Sequence, residues 1–298
     1  MMTSEIQITR LERETQALCP AHLSEALELM DEFGFLILRD VIETSHLSQL
    51  KTLYDDAWQE FKSAKSSWIA GGQIIGHLNV NPPASEYFAN ADVLGNKIIC
   101  AITSSILGKD LCVSDVGGNT NQPDSVDQYL HSDVDFKEFK KLLVNIPLGD
   151  VDEENGSIEM VPKSHKSNIQ FPEPNDLASS YGPIRINSRM GDAFIRYPHV
   201  WHRGRANPSP RPRHMLSAWH EAIPKLDRAV NKLMIDPSEP DLFAAYTSHF
   251  KKLGTLNTAP EFRPNYFAPS LTGLIKETFY RHSPKTYLSL IRALKSLK

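Results

Sequence analysis

The feature that most limits what this chain can fold into is a series of short β-prone runs between residues 112 and 222. Lys141 to Ile146, Ser157 to Val161, Ala193 to Tyr197 and His214 to Trp219 are such runs, and turn clusters such as Asn155-Gly156 and Gly191-Asp192 separate them. Runs of this length and spacing predict antiparallel strands closed into a sandwich or barrel.

The flanks have a different periodicity. Leu23, Ala26, Leu27, Met30 and Phe33 share one helical face, Gly34 ends that helix, and Phe35-Leu36-Ile37-Leu38 is a short apolar strand. A second helix is expected from Thr44 or Ser45, either of which can cap it, with Leu47, Leu50, Tyr54, Ala57 and Phe61 at helical spacing. The Gly-, Asn- and Pro-rich stretch 68–83 suggests loops and short strands, and another helix is expected around Val93 to Leu107. About the last seventy residues turn helical again, with breaks at Pro237–Pro240 and Pro260–Pro269. The expected architecture is mainly β with flanking helices. It is one domain over 1–298: a helical and mixed part over 1–111, a β-core over 112–222 and a helical extension over 223–298.

Bulk properties exclude several classes. Hydrophobic residues make up 41% of the 298 and charged residues 23%, ordinary for a globular protein. A net charge of -4 gives no general electrostatic reason to expect nucleic acid. No apolar run approaches the ~20 residues that cross a bilayer, and the first residues do not have the pattern of a signal peptide. Cys19, Cys100 and Cys112 are widely spaced and form no Cys-x-x-Cys pair, which suits a reducing compartment. A cytoplasmic location is expected.

The chemistry is concentrated in Gln128-Tyr129-Leu130-His131-Ser132-Asp133. Side chains two apart on a strand project from the same face, so His131 and Asp133 converge on one point. A third ligand would come from Tyr197-Pro198-His199-Val200-Trp201-His202-Arg203-Gly204, which offers two histidines. Two imidazoles and one carboxylate on one side of a metal leave the opposite positions open, an arrangement that suits Fe(II) binding a co-substrate and O₂ together. A bare His-x-Asp is common, so the pair gains force only from its surroundings.

Those surroundings resemble the phytanoyl-CoA dioxygenase family of Fe(II)/2-oxoglutarate oxygenases. The His-x-Asp is followed by an acidic Asn-Gly turn, a hydrophobic strand and a Pro-x-Ser-His, here Asp152 to His165. Next come Gly191-Asp192 before a strand, Trp201-His202, and Asn207-Pro208-Ser209 leading to Arg213. Glu32 to Asp40 resembles the family's opening strand, so the likeness spans roughly residues 25–222 in the right order.

The resemblance implies a double-stranded β-helix, a jelly-roll core of cupin type. It implies His131, Asp133 and His202 as iron ligands, with His202 preferred over His199 because it follows Trp201 and precedes Gly204. Arg213 matches the residue that pairs with the far carboxylate of 2-oxoglutarate, and a guanidinium fork suits that task. Arg211 is the runner-up. Ser217, on Arg213's alternation, can add a hydroxyl, and Gly118-Asn119-Thr120-Asn121 offers amides, that of Asn121 foremost, to substrate or 2-oxoglutarate. His165 is expected to be a turn residue, His77 a pocket or loop residue, and Trp219 a core residue. The implied activity oxidises a C–H bond, most simply by hydroxylation, with 2-oxoglutarate and O₂ consumed and succinate and CO₂ released. Related halogenases have a small residue at the position of Asp133, so halogenation is disfavoured. Desaturation, ring closure and epimerisation use the same iron core.

The substrate is expected to be a small molecule of lipid, amino-acid or natural-product type, with no nucleic-acid partner. Residues 271–298 form a basic amphipathic pattern that can lie on an anionic membrane, although a terminal helix packed on the core is preferred. Two rival readings stay open: a jelly-roll isomerase or hydrolase using another metal, and a non-catalytic binding protein on the same scaffold.

Overall fold

The computed structural model describes residues 4–63, 76–128, 130–134, 141–166, 182–222, 235–253 and 259–264. In chain order these form β1 (Glu5–Gln7), α1 (Arg10–Thr15), α2 (Pro20–Phe33), β2 (Phe35–Arg39), α3 (Thr44–Ser63), β3 (His77–Asn81) and α4 (Lys97–Leu107). Then follow β4 (Leu111–Asn121), β5 (Lys141–Pro147), β6 (Ile158–Met160), a 3₁₀ turn (Ser164–Lys166), β7 (Ile184–Ile186) and β8 (Ala193–Arg196). β9 (His202–Gly204), β10 (Arg213–Ala222), α5 (Leu242–Leu253) and β11 (Glu261–Pro264) complete the series.

The strands form the two sheets of a jelly roll. The larger has the order β1-β2-β8-β5-β10-β4-β3-β11, and the smaller β7-β6-β9. β1 runs parallel to β2, while the other pairs of both sheets are antiparallel. The N-terminal β1 and β2 are strands of the larger sheet itself. The second proline-rich segment, expected only as a break, carries edge strand β11, where Pro264 ends the pairing with β3.

Local chemistry sets the helix limits. Pro20 occupies the first turn of α2, the Cys19 sulfur accepts from the His22 N–H, and Gly34 closes the helix at φ +84°. A Cβ at Gly34 would strike the His165 ring, so this glycine also lets helix and turn meet. In α3 the first free N–H, that of Thr44, goes to the Glu43 carboxylate at 3.2 Å. The buried stripe of α3 is Leu47, Leu50, Tyr54 and Trp58, so Trp58 takes the place expected of Ala57. α4 starts at Lys97 rather than near Val93. The Asn90 side-chain Oδ1 accepts from the N–H groups of Asp92 and Val93 and holds them in a turn, and the Asn96 side chain caps Ile98 and Ile99.

Alternation along the strands separates two cores. Leu36, Leu38, Leu142, Val144, Ile146, Ala193, Ile195, Leu216 and Ala218 face the helices, where they meet Met30, Leu47, Leu50, Ile98 and Ile102. Phe35, Ile37, Phe194 and Met215 face inward, where Phe33, Val151, Met160, Ile186 and Val200 fill one end of the space between the sheets. The other end of that space is left open. Residues 271–298, including the basic amphipathic segment, lie outside the described residues, as do residues 68–75 of the Gly-, Asn- and Pro-rich stretch. No helix among the described residues is long and apolar enough to cross a membrane.

Candidate metal centre

The open end is a cavity of about 570 Å³ walled by β3, β4, β5, β8 and β10 on one side and by β6, β9, Gln128, His131 and Asp133 on the other. His131, Asp133 and His202 meet at its edge, each offering one ligand atom, and these atoms all lie within 4.8 Å of one another. Backbone hydrogen bonds create the meeting. His131 and His202 exchange N–H···O bonds of 2.9 and 2.8 Å, which bridges the loop to β9 and puts their rings 4.5 Å apart. The Asp133 N–H donates to the Pro198 carbonyl at 2.9 Å. The segment that presents His202 therefore also seats Asp133.

Two of the donors, His202 and Asp133, are oriented by a further bond. Hydrogen-bonding of His202 Nδ1 to the Val200 carbonyl at 2.9 Å makes Nδ1 the protonated nitrogen and leaves the Nε2 lone pair facing Asp133 Oδ1 at 3.6 Å. His131 Nε2 lies 3.8 Å from the same oxygen. The other oxygen, Oδ2, accepts from Arg196 Nη2 at 2.5 Å. Arg196 in turn donates through Nε to Asn145 at 3.3 Å. The Asp133 side chain is 24% exposed, turned inward from an open backbone. Burial opposes its charged form, but Arg196, His202 and His131 outweigh that and hold the carboxyl well below the usual range. Burial, with Arg196, pushes the His202 imidazole down to about 3, so it is neutral at physiological pH. A neutral imidazole and an ionised carboxylate are the forms that bind metals.

Arg213 enters the cavity from β10 and is buried. Nη1 donates to Asn119 at 3.4 Å and Nη2 to the Gly156 carbonyl at 3.2 Å, both long and both to uncharged groups. Nε has no hydrogen-bond partner, and no carboxylate lies at ion-pair distance among the described residues. Burial lowers its pKa to about 10, which leaves it a cation. An unpaired buried guanidinium is costly unless an anion arrives to meet it.

Ser217 lines the same wall opposite Gly117. Asn121 pairs with Arg213 in register, but its amide donates to the Arg205 carbonyl at 2.8 Å and to that of Gly156 at 3.4 Å. It braces the Asn155-Gly156 turn, and Asn119, one alternation away, is the cavity residue. A Cβ at Gly156 (φ +84°) would strike the Asn121 amide, so the turn needs glycine to come this close.

Other histidines and arginines are placed elsewhere. His199 is buried 5.4 Å from the Tyr197 ring and 6.3 Å from His165, apart from the three converging donors. His165 stacks on Tyr197 at 5.5 Å and meets the Asp31 carbonyl at 3.0 Å in the 3₁₀ turn. Arg211 precedes β10 and is exposed. His77 is neither pocket wall nor loop: it is fully buried at the start of β3, bonded to the Val126 carbonyl at 2.9 Å and packed on Gly204. Trp219, expected in the core, is a cavity wall residue.

Sequence reasoning missed Arg196 and Gln128, whose Oε1 accepts from the Gly204 N–H at 2.8 Å beside β9. Of the amides expected in Gly118-Asn119-Thr120-Asn121, that of Asn119 is the one lining the cavity. A second cluster, Glu12, Cys19 and His22, also has ligand-like spacing. Its carboxylate is already used, accepting from the Thr9 and Cys19 N–H groups and contacting the His22 ring.

A jelly roll whose cavity holds two imidazoles, a carboxylate and a bare guanidinium has the layout of the non-haem oxygenases that use 2-oxoglutarate. The model of one such family, phytanoyl-CoA dioxygenase (PhyH), matches residues 30–215, and the chain belongs to that family. It is an Fe(II)- and 2-oxoglutarate-dependent dioxygenase, with O₂ as the further co-substrate. Among solved structures it is similar to the non-haem α-ketoglutarate-dependent epimerase SnoN from nogalamycin biosynthesis. The identity is 18% over 75% of this chain and 89% of that one, with a TM-score of 0.55. EctD from S. alaskensis, crystallised with 2-oxoglutarate and 5-hydroxyectoine, is 15% identical over 69% of this chain and 77% of its own, with a TM-score of 0.54. The carbocyclase SnoK is 18% identical over 68% and 84%, with a TM-score of 0.52. At these identities the likeness is one of fold.

Proposed function

We propose that His131, Asp133 and His202 hold Fe(II), that Arg213 with Ser217 receives the far carboxylate of 2-oxoglutarate, and that the enzyme hydroxylates a C–H bond of a small molecule. The observation that carries this reading is Arg213, a buried cation with no anion at ion-pair distance among the described residues, in the same cavity as the three donors. The donor set fits iron: two imidazole nitrogens and one carboxylate oxygen face one point and leave the cavity side open.

Bound iron supplies the oxidative chemistry, in which 2-oxoglutarate and O₂ are consumed and succinate and CO₂ released. The chain's own residues do the rest. The Val200 carbonyl keeps the proton on His202 Nδ1, so Nε2 faces the metal. Arg196 occupies Asp133 Oδ2, so Oδ1 is the oxygen presented. Arg213 fixes the far end of 2-oxoglutarate, and the surrounding strands limit water. Hydroxylation asks no more of the protein than placing a C–H bond. Epimerisation needs a group that returns a hydrogen atom, and ring closure a second reacting group held in place.

Anaerobic titration with Fe(II) and 2-oxoglutarate tests the site. A weak visible charge-transfer band should appear in wild type, vanish in His202→Ala, and demand far more 2-oxoglutarate in Arg213→Gln. Absence of the band in folded, metal-loaded wild type sinks the assignment. Once a substrate is found, ¹⁸O₂ should leave one labelled oxygen in the product, and an unlabelled product at full succinate yield would exclude hydroxylation.

A further inference from the structure

The cavity face of the large sheet is a grid of side chains fixed by strand register. One row runs Arg196 (β8), Leu143 (β5), Trp219 (β10) and Asp115 (β4). The next runs Asn145, Ser217 and Gly117; the third contains Met215, Asn119 and Asn79; and the fourth contains Arg213. Rows two residues apart are separated by ~7 Å and neighbouring strands by ~4.8 Å. Asp115 therefore lies three rows, ~20 Å, from Arg213 and three strands, ~14 Å, from Arg196. 2-Oxoglutarate reaching from the metal ligands to Arg213 leaves the Trp219–Asp115 corner for another molecule.

That corner is built. Between Trp219 and His220 the register with β4 slips, so that Trp219 faces Asp115 while His220 faces Val113. The extra residue, Ser114, makes a β-bulge, a device that re-aims side chains beside sites. Asp115 Oδ1 accepts from the Val116 N–H at 2.8 Å, and the carboxylate has no cation at ion-pair distance among the described residues. Lys141, near this edge, pairs with Glu221 at 3.8 Å. Asp115 stands exposed at the mouth of the cavity, where partial burial raises its carboxyl and outweighs the lowering by the Val116 N–H and by the charge of Lys141. Apart from the metal-site Asp133, it is the one acid among the described residues lining the cavity.

We propose that the substrate is a polar small molecule carrying a basic nitrogen, with the ammonium taken by Asp115 against the Trp219 ring. The inference rests on the reading that metal and 2-oxoglutarate occupy the other end. A carboxylate beside an indole face is the pairing that captures an ammonium. The Asn79 amide offers hydrogen bonds to the neutral polar parts of such a molecule. An acyl chain would instead strip water from the carboxylate and amides without replacing those bonds.

The test uses matched triples on one skeleton: glucosamine, N-acetylglucosamine and glucuronate; then tyramine, N-acetyltyramine and 3-(4-hydroxyphenyl)propionate. Binding to full-length protein loaded with Fe(II) and 2-oxoglutarate is measured by anaerobic calorimetry. In at least one triple the amine should bind ten times or more tighter than both partners. Asp115→Asn should abolish that preference and leave the visible band and its 2-oxoglutarate dependence unchanged. Trp219→Leu, which keeps the carboxylate, should weaken the amine several-fold. Equal binding within both triples, no binding by either amine, or a preference that survives in folded Asp115→Asn overturns the inference while the band still stands. Failure of the band in wild type is a separate result, and it strikes the metal and 2-oxoglutarate assignment.

Discussion

Along β10 the even-numbered residues His214, Leu216, Ala218 and His220 turn to the helices, and the odd-numbered Arg213, Met215, Ser217 and Trp219 turn to the cavity. Polar groups occur on both faces, but their circumstances differ. On the helix side His214 meets Thr120 at 2.8 Å and Asp55 at 3.3 Å, and His220 meets Thr103 at 3.0 Å. On the cavity side Arg213 has only long bonds to neutral groups, and across the sheet Asp115 has no ion-pair partner among the described residues. On the helix face both histidines find partners within the chain, while the cavity face keeps its charges for something that binds. The same ten residues of strand serve stability and chemistry by simple alternation.

Substitutions of neighbouring residues should break this division in opposite ways. The largest effect expected is from Leu216→Ala on the helix face, which removes a fully buried side chain from the main core. It should lower stability by roughly 2–5 kcal/mol in denaturant titration, with turnover per folded molecule preserved. Arg213→Gln should do the reverse. Losing charge-assisted bonds of about 1.5–3 kcal/mol should raise the 2-oxoglutarate requirement roughly 10- to 150-fold, while stability holds or rises because an unpaired buried charge is gone. A large stability loss in Arg213→Gln would show that the guanidinium is a structural element.

The smallest effect concerns pH. Burial pushes His220 down to about 4 from an ordinary 6.5, so the unfolded chain binds this proton more readily than the folded one. The stability tied to neutral His220 is complete above pH 6.5 and is lost as pH falls toward 4. Between pH 7 and 6 the loss should be roughly 0.7 kcal/mol, and His220→Gln should remove that part of the slope. An unchanged slope in the variant would place the titration elsewhere.

How much of this was legible in the chain depended on how local each feature is. His131 and Asp133 declare themselves by a spacing of two, and His202 and Arg213 follow from motif order. Arg196 does not, because nothing near Phe194-Ile195-Arg196 hints that its guanidinium will meet Asp133; that depends on β8 lying beside β5 and on the 131–133 segment closing over it. Asn121 and Asn119 are equivalent by alternation, and only the approach of Gly156 decides that one braces a turn and the other faces the cavity. The short edge strands β1 and β11 carry too few residues for periodicity to show, and Pro264 disguises the second. The apolar runs of β5 and β10 were plain, whereas β4, with Gly117-Gly118 and three amide or hydroxyl residues in its second half, carried no such run.

The two long hydrogen bonds that hold Arg213, to Asn119 and the Gly156 carbonyl, bear on product release. On the proposed assignment the carboxylate that Arg213 receives passes through the reaction unaltered, so succinate is gripped as firmly at that end as 2-oxoglutarate was. An arginine with nothing to return to would let go slowly. The neutral acceptors at 3.4 and 3.2 Å give it a resting place that is weak enough to yield to an incoming anion and near enough to recapture the guanidinium when one departs.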